Sequence, residues 1–239
     1  MNILISNDDG VEASQLPALI KWCRQHGSVT VVVPKSEQSA KSHSIEIRNP
    51  FEIKQRELEP GITVWTVDST PADCVRFAVS GLQEHYDLMI SGINRGYNLG
   101  KDTMYSGTLA AASEAVSKGI PAIALSASMK YYDRAASQLD ELFRFFREHK
   151  LMDIHSLYNV NIPVDPKGIR ITKQGSAAFR EVFIQQENDM YFPGGTPMRA
   201  DGTHPDLDTD AVAMGYISVT PMVIDRTAHT VVQQLTQEL

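Results

Sequence analysis

The chain predicts an α/β fold, a core around a mostly parallel sheet followed by a β-rich C-terminal extension, and three observations carry that prediction. Short apolar runs alternate with amphipathic ones up to Ile162, the pattern of repeated strand–helix–strand units. The first unit, from Met1-Asn2-Ile3-Leu4-Ile5-Ser6 to Val29-Thr30-Val31-Val32-Val33, closes within about 33 residues, which calls for a parallel pair and a right-handed crossover. Beyond Pro163 the helical runs give way to β-like segments separated by Gly and Pro, so the chain divides into a core, 1–163, and an appendage, 164–239.

The bulk composition bounds the function. With 239 residues, 42% hydrophobic and 21% charged, the chain has enough apolar material for one large core and no signature of disorder. A net charge of -7 excludes the basic footprint of a protein that tracks a nucleic-acid polymer, while a small phosphorylated substrate held through a metal stays compatible. Cys23 and Cys74 both fall in helix-like apolar segments, which reads as core packing in a reducing cytoplasm. Neither a basic n-region nor 18 consecutive apolar residues occur, so neither a signal peptide nor a membrane span is expected.

In chain order, the first strand ends in Asn7-Asp8-Asp9-Gly10, two adjacent carboxylates at the edge where open α/β sheets place their chemistry. Side chains of neighbouring strand residues point to opposite faces, so both acids address one ligand only if the backbone turns, and Gly10 permits that. Like charges this close are unfavourable unless a cation or donors neutralise them, and hard oxygens suit a divalent ion such as Mg²⁺ or Mn²⁺; a helix cap plus a solvated acid is the bland alternative.

Ser14 is expected to cap a helix carrying Leu16, Leu19, Ile20 and Cys23, and the second strand ends at Pro34 in a Ser-rich loop, Lys35 to Ser44. Residues 45–67 read as an antiparallel excursion with strands at Ile45 to Ile47, Phe51 to Lys54 and Thr63 to Val67. Thr70-Pro71-Ala72-Asp73 opens a helix through an N-cap, a Pro at the first position and an acid in the first turn. Leu88 to Ser91 is a buried strand leading into a Gly- and Asn-rich loop that ends at Thr108, followed by a helix to Lys118, a strand from Pro121 to Ser126, a helix from Ala135 to His149 and a strand from Leu157 to Ile162. The appendage offers strands at Ile169 to Thr172, Glu181 to Gln185, Met190 to Phe192 and Gly215 to Thr220, and a last helix from Thr227 to Leu239; such an extended arm suits contact with a partner subunit.

Several motifs fail on inspection. Gly96-Tyr97-Asn98-Leu99-Gly100-Lys101-Asp102 lacks the spacing and the hydroxyl residue of a phosphate-binding P-loop, and no Gly-x-Gly-x-x-Gly follows a strand. Asp206 to Asp210 starts like a calcium loop, yet Ala211 and Ile217 occupy its obligatory Gly and Glu positions, leaving an acidic turn that caps a short helix. The histidines show no zinc spacing, and His43 and His204 are lone loop residues. What survives is Tyr105-Ser106-Gly107-Thr108, whose hydroxyls and free amides at a helix start form either an anion site suited to phosphate or a plain N-cap.

With Asn7-Asp8-Asp9-Gly10, Ser39, Ser91-Gly92-Ile93-Asn94 and Tyr105-Ser106-Gly107-Thr108 all on loops after successive strands, the chain resembles the SurE family of metal-dependent 5'-nucleotidases, the stationary-phase survival proteins. Thr70-Pro71-Ala72-Asp73-Cys74-Val75, Gly119 to Ser126, Asn159-Val160-Asn161-Ile162-Pro163 and Gly215 to Pro221 match the same family pattern in order. The resemblance implies a Rossmann-like three-layer core and one divalent cation per subunit (Mg, Mn or Co) on Asp8, Asp9, Ser39 and Asn94. It further implies hydrolysis of nucleoside 5'-monophosphates, and a homodimer or homotetramer built through a protruding hairpin and a swapped C-terminal element. Ala40 after Ser39, and Ser69 before Thr70, depart from the Gly common at those positions.

The expected chemistry is phosphomonoester hydrolysis, with Asp8 and Asp9 catalytic and Asn98, Ser106, Gly107 and Thr108 around the phosphate. Either Asp8 or a water molecule is the attacking group, and short polyphosphate is a further possible substrate. A receiver-like phosphotransfer domain is disfavoured because Ser91 to Asn94 supplies no acid after the central strand. A regulatory module that binds metal and nucleotide without turning the nucleotide over is the remaining alternative.

Overall fold

A computed structural model describes residues 1–176, 179–197, 200 and 202–238. Strand β1 (Asn2–Ser6), helix α1 (Leu16–Cys23) and strand β2 (Ser28–Pro34) form the first crossover unit, with β1 and β2 parallel. Strands β3 (Ile53–Glu59) and β4 (Ile62–Val67) make the antiparallel hairpin, turned at Gly61 with φ of 76°. Helix α2 (Pro71–Arg76) and strand β5 (Leu88–Arg95) follow, then α3 (Gly107–Ser117), β6 (Ala122–Ala127), α4 (Leu139–Glu148), a single turn α5 (Leu151–Ile154) and β7 (Leu157–Ile162). The remainder contributes β8 (Ile169–Ile171), β9 (Phe179–Gln185), β10 (Tyr191–Pro197), α6 (Asp208–Ala213), β11 (Ile217–Pro221) and α7 (His229–Glu238).

One nine-stranded, mostly parallel sheet runs β3-β4-β2-β1-β5-β6-β7-β11-β8, and β9 and β10 pair as a separate antiparallel ribbon. The residues of each central strand sort by parity, as a period of two demands. Ile3, Ile5, Val31, Val33 and Ile90 face α1 and α4, while Leu4, Val32, Met89, Ala122 and Ala124 face α2 and α3. Sheet and helices thus form three layers with a core on each side, each fully buried Leu or Ile contributing on the order of 2 kcal/mol. Cys23 and Cys74 are free and buried, one in each core.

Several elements differ in detail from the sequence expectation. No strand forms at Ile45 to Ile47, because Glu46 accepts the backbone N–H groups of Arg48 and Asn49 and its own N–H goes to Asp73, which bends the chain instead. Ser14 does not cap α1: the N-cap is Gln15 and no side chain caps the helix, whose entry is a run of tight turns after Gly10. Residues 135–138 belong to a tighter helical segment, Tyr132–Gln138, that leads into α4. Pro193 and Pro197, expected between strands, lie within β10; a two-stranded ribbon has only edge strands, the place where a missing N–H is tolerated. The expected last helix position, Leu239, lies outside the described residues.

Candidate active site

The strand order reverses between β1 and β5, since the chain leaves β1 toward β2 and later returns to pair β5 on the other side. In open α/β sheets the crevice beyond the carboxyl ends of such a pair is where ligands bind. Asp8 and Asp9 lie immediately beyond β1, and Asn94 and Arg95 end β5.

The turn at Asp8 and Asp9 is made by Asn7 and Gly10. The Asn7 side chain accepts the Gly10 N–H at 3.1 Å and donates to the Gly10 carbonyl at 2.9 Å, closing a buried local ring. Gly10 has φ of 84°, and a Cβ there would come within 2.9 Å of the Ser36 carbonyl carbon, so the position admits only glycine.

Three other segments are tied to the two acids. Gln38 N–H donates to the Asp8 carbonyl at 2.8 Å, drawing in the loop after β2. Arg95 N–H donates to Asp9 Oδ2 at 3.0 Å, drawing in the end of β5. Thr108 Oγ1, in the first turn of α3, donates to Asp8 Oδ1. Helix α3 comes this close because it packs on the sheet through Ala111, Ala112 and Ala115, all buried, and because Gly107 has no side chain to meet Asp8.

Both acids are strained electrostatically. Burial pushes the Asp8 carboxyl above the ordinary carboxylate range, against the Thr108 hydrogen bond that pulls it down. Burial, and then the Asp8 charge, push Asp9 up to about 6. Among the described residues neither acid takes part in an ion pair.

The sequence-predicted residues stand around this crevice in different ways. Ser39 is exposed, lines the same cleft of about 510 Å³ as Asp9, and donates to Glu37 Oε1 at 2.5 Å, leaving its oxygen lone pairs available. Ala40 after it has φ of 58°, in the left-handed region that favours glycine. Asn94 Nδ2 donates to the Gly96 carbonyl at 2.9 Å, and among the described residues its Oδ1 receives no hydrogen bond. Ser106 is the N-cap of α3, accepting Leu109 N–H at 3.0 Å, with its hydroxyl proton still available. Asn98 is buried: its N–H goes to Asn161, its Nδ2 to Ser126 Oγ at 2.8 Å, and its carbonyl accepts from Asn159 and Asn161. His43 pairs with Glu114 at 2.9 Å, and the His204 backbone N–H goes to Asp210 Oδ1; neither histidine lines the cleft.

Other participants carry little local signal in the sequence. Glu37, Arg95 and Tyr132 line the cleft beside Asp9. Asp208, expected only in a helix-capping turn, is fully buried and accepts the backbone N–H groups of Gly100, Gly175 and Thr209, fastening the Gly-rich loop from 108 positions away. Its only local mark is the acidic cluster ahead of α6.

Fold and site define an α/β protein of the doubly wound class that presents an acid pair, rather than a Gly-rich dinucleotide loop, at its switch point. The chain belongs to the SurE family: the model for "Survival protein SurE" matches residues 3–181. It is 39% identical to the 5'-nucleotidase SurE of Pelotomaculum thermopropionicum, covering 98% of this chain and 94% of that one. It is 40% identical to the 5'-nucleotidase SurE of Gemmatimonas aurantiaca, covering 99% and 98%. Among solved structures, the SurE protein from Aquifex aeolicus matches with a TM-score of 0.81 at 31% identity, covering 99% of each chain.

Proposed function

We propose that this chain is a divalent-metal-dependent phosphomonoesterase that hydrolyses nucleoside 5'-monophosphates to nucleoside and phosphate. The observation that carries the reading is the Asp8–Asp9 pair. Asp8 is buried and Asp9 half-buried, neither has an ion-pair partner among the described residues, and the loop after β2, the end of β5 and the first turn of α3 are hydrogen-bonded to them. The names of the relatives, 5'-nucleotidase SurE, support the same activity.

The donor set fits a hard divalent cation such as Mg²⁺, Mn²⁺ or Co²⁺. Burial raises both carboxylates, the Asp8 charge raises Asp9 further and Glu37 adds to each, while Arg95 offsets only part of this at Asp9; the Oδ1 of Asn94 and the Oγ of Ser39 are neutral oxygens of the kind such ions take. A cation bound there supplies Lewis acidity and offsets charge developing on the phosphoryl group.

The protein's own groups do the rest. Thr108 fixes the Asp8 rotamer, and Arg95 N–H does the same for Asp9. The first-turn amides of α3 at Gly107 and Thr108 lie beside Asp8 and carry the positive end of the helix dipole, a place for the phosphate. The Ser106 hydroxyl proton adds a donor, and Asn98, anchored from β6 and β7, holds the loop that leads in. The cleft of about 510 Å³ beside Asp9 has room for the nucleoside.

Release of phosphate from AMP and from p-nitrophenyl phosphate with Mn²⁺, Mg²⁺ or Co²⁺, and its loss on adding chelator, tests the reading. Calorimetric binding of metal and AMP without phosphate release under any of these ions would instead establish the regulatory module. Running short polyphosphate in the same panel decides whether that substrate belongs to the activity.

We further infer a cytoplasmic homodimer or homotetramer. The two cysteines are free. Among the described residues no helix is long and apolar enough to cross a membrane. The β9–β10 ribbon and α7 expose Phe183, Phe192, Val232 and Leu235, apolar surface suited to a second copy.

A further inference from the structure

A second cavity, of about 360 Å³, opens at the opposite edge of the sheet, beneath the amino ends of β1, β5 and β6. Its floor is the sheet itself, through Ile90 and Ile123, and one wall is aromatic, with Trp22 of α1 and Phe143 of α4 at 4.5 Å between ring centroids. The Trp22 indole N–H is already satisfied by Asp140 at 2.8 Å, so the ring offers the cavity only an apolar face. Ile90 and Ile123 are themselves covered, and the apolar surface left open to a ligand comes from partly exposed lining side chains such as Phe143 and Met152. The cavity's volume falls in the range of small-molecule sites, roughly 300–1,000 Å³.

The mouth carries Arg147 and Lys150, both exposed, with Asp153 as the single acid. Arg144, three residues earlier on α4, is already paired with Glu148 at 4.0 Å. Arg147 and Lys150, by contrast, take part in no ion pair among the described residues. An apolar recess whose rim carries two uncompensated cations against one acid is complementary to a molecule with an apolar body and an anionic head.

We propose that this cavity, formed by Trp22, Phe143, Ile90 and Ile123 under the Arg147–Lys150 rim, binds a medium-chain carboxylate, tail inward and carboxylate at the rim. The site lies at the edge of the sheet away from Asp8 and Asp9, so it stands or falls independently of the phosphatase reading.

The chain has two tryptophans, Trp22 and Trp65, so Trp65→Phe leaves Trp22 as the sole indole reporter. Titration of that full-length variant with decanoate should give a saturable change in Trp22 emission, and decanol should bind about tenfold more weakly for want of the charge. Arg147→Glu and Lys150→Glu, both surface changes, should each weaken decanoate about tenfold while leaving the thermal midpoint in place. No saturable response overturns the proposal, including the case in which a second copy of the chain covers the cavity. Decanoate binding that ignores both rim reversals overturns it equally.

Discussion

Thr108 in the first turn of α3 donates its hydroxyl proton to Asp8 at the end of β1, across 100 positions of sequence. This one bond joins the helix that would receive the phosphate to the acid that would hold the metal. Thr108→Val keeps the shape and removes the donor, and a lost hydrogen bond to a charged group costs about 1.5–3 kcal/mol, so AMP turnover should fall roughly 10- to 100-fold. Thr108→Ser should recover most of it. Equal rates for the Val and Ser variants would remove the hydroxyl from the site.

Gly107 is the companion of that contact. A Cβ there would lie 2.8 Å from Asp8 Cβ and 3.1 Å from Pro71 Cγ, neither of which is the free end of a flexible chain. Gly107→Ala should therefore lower unfolding free energy by about 1–3 kcal/mol in urea titrations, and lower turnover by displacing Asp8.

Asp8→Asn keeps the volume and removes one charge of the pair. Phosphatase activity should vanish with the circular dichroism spectrum intact, and calorimetry should show Mn²⁺ affinity reduced. Wild-type turnover in this variant would sink the assignment of the site.

The acid pair also sets a pH dependence. The Asp9 pKa is raised from 3.8 to about 6 in the fold, so between those values the native state binds more protons than the unfolded state. The stability of metal-free protein should consequently fall as pH rises through this window, with Asp8 acting in the same direction. Thermal midpoints measured across this pH window in chelator should show the decline. Saturating Mn²⁺ should counter it at the upper end, and Asp9→Asn should flatten it.

Ala40 holds φ of 58° in the Ser39 loop. A left-handed conformation costs an L-residue about 1–2 kcal/mol, partly offset by the entropy glycine loses on folding, so Ala40→Gly should leave stability unchanged or raise it by up to about 1 kcal/mol. A clear loss of thermal midpoint would show that the loop is held some other way.

Much of this was legible locally. The strand–helix alternation depends on periods of two and 3.6 along contiguous residues, and Asn7-Asp8-Asp9-Gly10 announces its own turn because the Asn7 side chain bonds to Gly10 only three positions on. The helix start at Thr70-Pro71-Ala72-Asp73 is local in the same way: Asp73 N–H bonds to Thr70 Oγ1 at 3.2 Å. Where short-range side-chain bonds compete with strand pairing, the pattern misleads, and Glu46 turns an apparent strand into a bend.

Tertiary structure alone decided the rest. Nothing near Asp208 in the sequence points to Gly100, nor does anything near Asn98 point to Ser126 and Asn161; the first pair meets because α6 begins against the Gly-rich loop, the second group because the parallel strands β5, β6 and β7 end at one edge. The sequence by itself determined the layered α/β class and the acid pair, since both are written in neighbouring residues. Which hydroxyl, amide and carboxylate reach that pair was decided by strand order and by the close seating of α3, because hydrogen bonds of about 3 Å depend on packing and not on spacing along the chain.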